Sequence, residues 1–164
     1  MDINNKELLE ISLKIERGGK AFYENLSAHV DDPEVKEFLE TMSKEEALHE
    51  KQFIKMLETK GAEKYGWEEN DSLRSFITDN LETDIFPDLN DVFKHKSKFE
   101  GIQKAFDFAI ETERVSHEFY GMLGQLCSNY EVKTLLVLLE KAEIEHLQRI
   151  KMLREKFIST NIDK

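Results

Sequence analysis

The sequence predicts an all-α protein, a four-helix bundle made of two similar helical hairpins joined by a long crossover. Three observations carry that prediction. First, Val132, Leu136, Leu139, Glu143, His146, Ile150 and Leu153 follow one another at spacings of 4, 3, 4, 3, 4 and 3. At roughly 100° per residue, all seven share one narrow helix face. Second, Val35, Leu39, Met42, Glu46, His49, Phe53 and Met56 repeat the spacing, with Glu46 and His49 at the matching place. Third, only two prolines and seven glycines in 164 residues leave room for helices of this length. Each stripe is apolar apart from its Glu-x-x-His, so each face must be buried. A carboxylate buried there without a partner would cost on the order of several kcal/mol. A metal ion is the partner that suits an acid and an imidazole side by side.

Bulk properties narrow the field. A net charge of −11 with 35% charged residues suits a salt-laced helical protein and argues against nucleic acid or an acidic membrane as partner. Cys127 is the one cysteine, which excludes a disulfide framework and a Cys-x-x-Cys site and points to a reducing interior. The opening MDINNKELLE lacks the apolar core of a signal peptide, and no apolar run nears the roughly 20 residues of a membrane span. A cytoplasmic location and a single domain over 1–164 are expected.

The elements follow in order. Asn4 with Glu7 three residues on reads as an N-cap, opening a helix through about Ala28 on the stripe Leu8, Ile11, Ile15, Phe22 and Leu26. Gly18 and Gly19 interrupt it at a cost of about 1 kcal/mol each relative to alanine, so something is expected to come close there. Asp32–Pro33 caps and starts a second helix, which Gly61 stops, completing a hairpin over 5–60. Residues 61–97 lack a long period; Asp71 or Ser72 is expected to cap a short helix carrying Leu73, Phe76, Ile77 and Leu81. A connection this long has a purpose if it crosses the length of a bundle. Ser97-x-x-Glu100 is a capping box for the third helix, with the stripe Ala105, Phe108, Ala109, Thr112, Phe119 and Leu123. Ser128-x-x-Glu131 is expected to cap the fourth, closing a second hairpin over 98–160.

Sliding the chain by 97 residues aligns the halves without a gap. Glu16 falls on Glu113, Arg17 on Arg114, Phe22–Tyr23 on Phe119–Tyr120, Leu26 on Leu123, Glu34–Val35–Lys36 on Glu131–Val132–Lys133, Leu39 on Leu136 and Lys44 on Lys141. Glu46 falls on Glu143 and His49 on His146. Each half therefore offers one lone Glu and one Glu-x-x-His. Two hairpins about a pseudo-twofold axis bring Glu16, Glu46, His49, Glu113, Glu143 and His146 to one point, the ligand set of a carboxylate-bridged dinuclear site. Four carboxylates against two divalent cations make a neutral cluster, which removes most of the objection to burying them. Oxygen-rich ligands with one imidazole per metal suit iron or manganese better than structural zinc. The repeat makes the two metals, and so His49 and His146, near-equivalent. On helix three, Glu111 points about 200° away from Glu113 and reads as a surface acid. Tyr23 and Tyr120 read either as hydrogen-bond donors to the carboxylates or as core aromatics. His29, His95 and His117 read as surface histidines and Cys127 as a bystander thiol.

The segments KIERGGKAFY, EEALH, AIETERVSHEFY and AEIEH together resemble the four metal-binding segments of the rubrerythrin and ferritin-like diiron-carboxylate family, and the resemblance covers nearly all of 5–157. It implies a ferritin-like bundle holding two iron ions, with manganese or zinc as substitutes. Glu46 and Glu143 would bridge the metals, Glu16 and Glu113 would be terminal ligands, and His49 and His146 would bind one metal each. The family reduces peroxide or oxygen, or oxidises and stores iron. The expected function is therefore oxidoreduction of a small oxidant in oxidative-stress defence, by a homodimer fed by an unidentified electron donor. Ferroxidase or storage activity, or a structural metal bundle, is the alternative. Two departures stand out: the 164 residues hold no cysteine-rich rubredoxin segment, and Ile110 replaces the glutamate that typical rubrerythrins place three residues before the terminal ligand of helix three.

Overall fold

The computed structural model describes residues 2–58 and 63–162, and their regular structure is all helical. Four long helices, α1 (Asn5–Ser27), α2 (Pro33–Glu58), α5 (Lys98–Leu126) and α6 (Tyr130–Ile162), form the bundle, and α3 (Asp71–Asn80) and α4 (Leu89–Phe93) lie in the crossover. The helix starts are made by side chains that take over orphaned N–H groups. Asn4 accepts from the Glu7 amide at 2.8 Å, Asp32 from the amides of Glu34 and Val35, and Ser97 and Glu100 close a reciprocal capping box. The stop expected at Gly61 lies outside the described residues.

Two caps differ from expectation. Asn70, in extended conformation, accepts from the Leu73 amide at 2.9 Å and caps α3, while Asp71 is already helical. Its carboxylate sits in the first turn, where it favours the helix dipole rather than capping it. Asn129 caps α6 through the Val132 amide, because Ser128 is engaged elsewhere: its hydroxyl and its N–H both donate to the Tyr65 carbonyl. The short helix α4 had no signal in the periodicity; its five residues are too few to show one.

The crossover is fastened to both hairpins. Trp67 is fully buried, and its indole N–H donates to Asn5 at 3.1 Å, while the Asn5 amide donates to the Glu63 carbonyl at 2.8 Å. Arg74 pairs with Glu7 on α1. Gly66 has φ +106, and a Cβ there would stand 2.5 Å from the Leu126 carbonyl oxygen, so only glycine lets the strap lie this close to α5.

α1 packs on α2 and α5 on α6, and α1–α5 and α2–α6 contacts join the hairpins. The core divides into two apolar clusters. One gathers Ile15, Phe53, Tyr120, Leu123, Val132 and Leu136; the other gathers Phe22, Tyr23, Leu39, Ala105, Phe106 and Ile150. Every long helix passes from one cluster to the other, and where it crosses it carries an acid: Glu16, Glu46, Glu113 or Glu143. The polar residues thus form a waist sealed by hydrocarbon above and below. No described helix is long and apolar enough to cross a membrane.

Candidate metal centre

At the waist the six predicted ligands meet. Glu16, Glu46, His49 and Glu143 form one group, and Glu46, Glu113, Glu143 and His146 a second; within each, one ligand atom per residue lies within 4.8 Å of all the others. Glu46 and Glu143 belong to both groups. Nδ1 of His49 stands 3.2 Å from Glu143, 3.4 Å from Glu16 and 3.7 Å from Glu46. Nδ1 of His146 stands 3.2 Å from Glu46, 3.7 Å from Glu113 and 3.9 Å from Glu143. Atoms that share one ion at bond lengths of about 2.1 Å are spaced by roughly 3 to 4 Å, so both sets have room for a cation at their centre. The two imidazoles stack across the waist with centroids 5.8 Å apart.

The tyrosines are hydrogen-bond donors to the cluster. Tyr120 donates to Oε1 of Glu16 at 2.6 Å, and Tyr23 donates to Oε1 of Glu113 at 2.5 Å. Each tyrosine reaches into the opposite half of the repeat, as a pseudo-twofold axis requires. One oxygen of Glu16 and one of Glu113 is thereby held, and the other, Oε2, is buried without a hydrogen-bond partner. Oε1 of Glu143 and Nδ1 of both histidines are orphaned in the same way. Buried polar atoms are almost always paired. Five orphans divided between the two overlapping groups fit bound cations.

Electrostatics favour the same reading. With protein groups alone, burial and then the charge of Glu46 push the Glu16 carboxyl well above its ordinary range, and burial with Glu46 and Glu113 does the same to Glu143. Burial also acts to raise Glu46, but Glu16 and the two imidazoles outweigh it and hold that carboxyl low. Burial opposes a charge on His49, yet Glu143, Glu16 and Glu46 overcome it and push the imidazole up to about 12; burial opposes a charge on His146 too, and Glu113, Glu45 and Glu46 raise it. Protein groups alone therefore draw protons to compensate a charge that divalent cations would neutralise directly.

Residues 7–154 match the rubrerythrin family. The chain belongs to that family. The fold recurs in a hypothetical protein from Pyrococcus furiosus at 21% identity, with TM-score 0.71 over 96% of this chain and 92% of that one. It recurs too in a Thermotoga maritima protein assigned to the ferritin-like diiron-carboxylate proteins, at 20% identity and TM-score 0.69, covering 94% and 97% of the two chains. No curated protein matches.

In this rubrerythrin-family chain the remaining predicted residues divide. Glu111 is exposed and pairs with Arg114, whereas Glu113 is buried, as the helix phase requires. His95 is exposed and His29 stacks on Phe93. His117 is a correction: it is half-buried, with Nδ1 enclosed and unpartnered, because α5 is covered on both flanks and leaves little open face. Cys127 is buried, and its thiol reaches the Asn129 carbonyl. Two participants were missed. Glu45 contacts Nε2 of His146 at 2.5 Å, although its position gives no core signal. Phe86 of the crossover presses on Gly18 and Gly19; the approach that those glycines admit comes from its ring and from Glu46.

Proposed function

We propose that this chain binds two iron ions at the waist and works as an oxidoreductase on peroxide or dioxygen, receiving electrons from a separate donor. The observation that carries the reading is the pair of overlapping ligand groups sharing Glu46 and Glu143, with orphaned oxygens and nitrogens directed inward. When bound, iron supplies the redox chemistry that no side chain here can provide. The protein's part is placement. Glu46 and Glu143 would bridge the two ions, Glu16 with His49 would complete one position, and Glu113 with His146 the other. Tyr120 and Tyr23 fix the terminal carboxylates from behind, so Oε2 of each is presented in a set orientation. The apolar clusters on either side exclude water, which strengthens every charge interaction in the waist. Manganese or zinc are substitutes that the same donors accept.

The test is metal analysis of protein purified without oxygen, followed by single-turnover mixing of the ferrous form with peroxide and with oxygen. Two irons per chain and oxidation within one turnover support the proposal. A ferrous form whose spectrum ignores both oxidants overturns it and leaves a structural metal bundle. Assembly size separates the storage alternative: a dimer on a sizing column supports the oxidoreductase, and a large cage supports iron storage.

A further inference from the structure

We infer that Glu45 breaks the pseudo-symmetry of the waist: it is a positioning residue for His146 that makes the His146 metal position the tighter of the two. The inference rests on the dinuclear reading above. The repeat contains a mismatch. Of the two Glu-x-x-His segments, only the first is preceded by an acid; the 97-residue shift places Glu45 on Ala142. Glu45 does not serve its own half. Its Oε2 crosses to α6 and meets Nε2 of His146 at 2.5 Å, while its Oε1 lies 3.9 Å from Arg149. Arg149 falls on Gln52 under the same shift, so the whole Arg–Glu–His chain exists on one side only.

The consequence follows from the two ring nitrogens. Accepting a hydrogen bond from Nε2–H, Glu45 keeps that proton on Nε2, so that Nδ1 is the nitrogen free to give up its proton to an arriving ion, and Nδ1 is the atom facing Glu46, Glu113 and Glu143. It also orients the imidazole and adds a fourth carboxylate beside that position, after Glu46, Glu113 and Glu143. His49 lacks this support: among the described residues no carboxylate contacts its Nε2, and Ala142 offers no acceptor. His49 must therefore select its tautomer and orientation when the ion arrives. Partners of this kind typically change metal affinity about 10- to 100-fold. The half-exposed Glu45 carboxylate also joins the buried ring to solvent, since the His146 side chain is 2% exposed and that of Glu45 38%.

The experiment is calorimetric titration of metal-stripped, refolded full-length protein with Co(II), a redox-silent probe with absorption bands of its own. Wild type should bind two ions in separable steps. Glu45→Ala should weaken the tighter step about 10- to 100-fold and bring the two together, with two ions still bound at saturation. Ala142→Glu should tighten the weaker step. In a His146→Gln background, Glu45→Ala should have no further effect on the ion that remains. The ring ¹⁵N signals of His146, but not those of His49, should move in Glu45→Ala, a change that a general loss of stability would not confine to one ring. Two unaltered steps in Glu45→Ala, or equal weakening of both, would overturn the inference and leave the dinuclear centre standing. A wild type that binds no Co(II) would instead overturn the centre itself.

Discussion

Gly18 and Gly19 are neighbours on α1, yet alanine at each should act in opposite directions. In a helix interior Gly→Ala is worth about 1 kcal/mol of stability, partly through the unfolded chain. At Gly18 a new Cβ would meet Phe86 alone, at 3.1 Å, and that half-buried ring lies on the crossover with solvent on one side. It can shift by a few tenths of an ångström. Gly18→Ala should keep most of the gain and, in a chain of this size, raise the melting temperature by roughly 2 to 4 °C. At Gly19 the Cβ would meet Glu46 Cδ at 3.2 Å, Glu46 Cγ at 3.3 Å and Phe86 Cζ at 3.3 Å. Glu46 is 2% exposed and hemmed in by both imidazoles, so it cannot retreat without leaving one of them. Overpacking of this kind costs about 1 to 3 kcal/mol, enough to cancel the helical gain and displace an acid common to both ligand groups. Thermal unfolding of both variants, with and without Co(II), is the assay. Gly18→Ala should melt higher and keep the full metal-dependent rise; Gly19→Ala should melt no higher than wild type and lose much of that rise. If Gly19→Ala is as stabilised as Gly18→Ala and binds metal as strongly, Glu46 is not packed against this face of α1, and the reasoning fails.

Glu113→Ala should empty or weaken one metal position, whereas Glu111→Ala, which removes an exposed partner of Arg114, should change stability by no more than about 0.5 kcal/mol; metal content at equilibrium checks both. Tyr120→Phe should leave Glu16 Oε1 buried without its donor and cost about 1 to 3 kcal/mol in denaturant unfolding, with Tyr23→Phe giving a matching loss at Glu113. The pH dependence of the metal-stripped protein follows from its shifted groups. Glu16, Glu143, His49 and His146 are raised on folding, so their stabilisation is complete below the unfolded values of 4.5 and 6.5 and is lost as pH climbs; for His49 the loss extends towards about 12. Glu46 is lowered, so its contribution is present above 4.5 and lost in acid. Calorimetric melting should therefore peak in the mildly acidic range and fall from pH 7 to 9; a melting point rising through that interval would contradict the assignment. Metal loading at pH 7 should release protons from those raised groups into an indicator dye, and uptake without release would count against their protonation.

The bundle and the burial of its four inward Glu and two inward His residues were legible because each depends on local periodicity. The 3.6-residue repeat sets which side of its own helix Glu143 or His146 shares with Leu136 and Ile150, and the 97-residue repeat sets which residues are counterparts. The caps at Asn4, Asp32 and Ser97 were legible for the same reason, being contacts within one turn. The misreadings at Asp71 or Ser72 and at Ser128 were shifts of one or two residues, where neighbouring polar side chains compete for one amide and the fold chooses. Glu45 lies about 100° from Glu46 around α2, so helical phase alone makes it a surface acid. Only the docking of α6 against α2 brings Nε2 of His146 to it, and only the path of the crossover lays Phe86 over Gly19. Periodicity reports what a helix hides from water. Which partner meets the edge of that face is decided by how separate helices cross, and no residue within one helix encodes it.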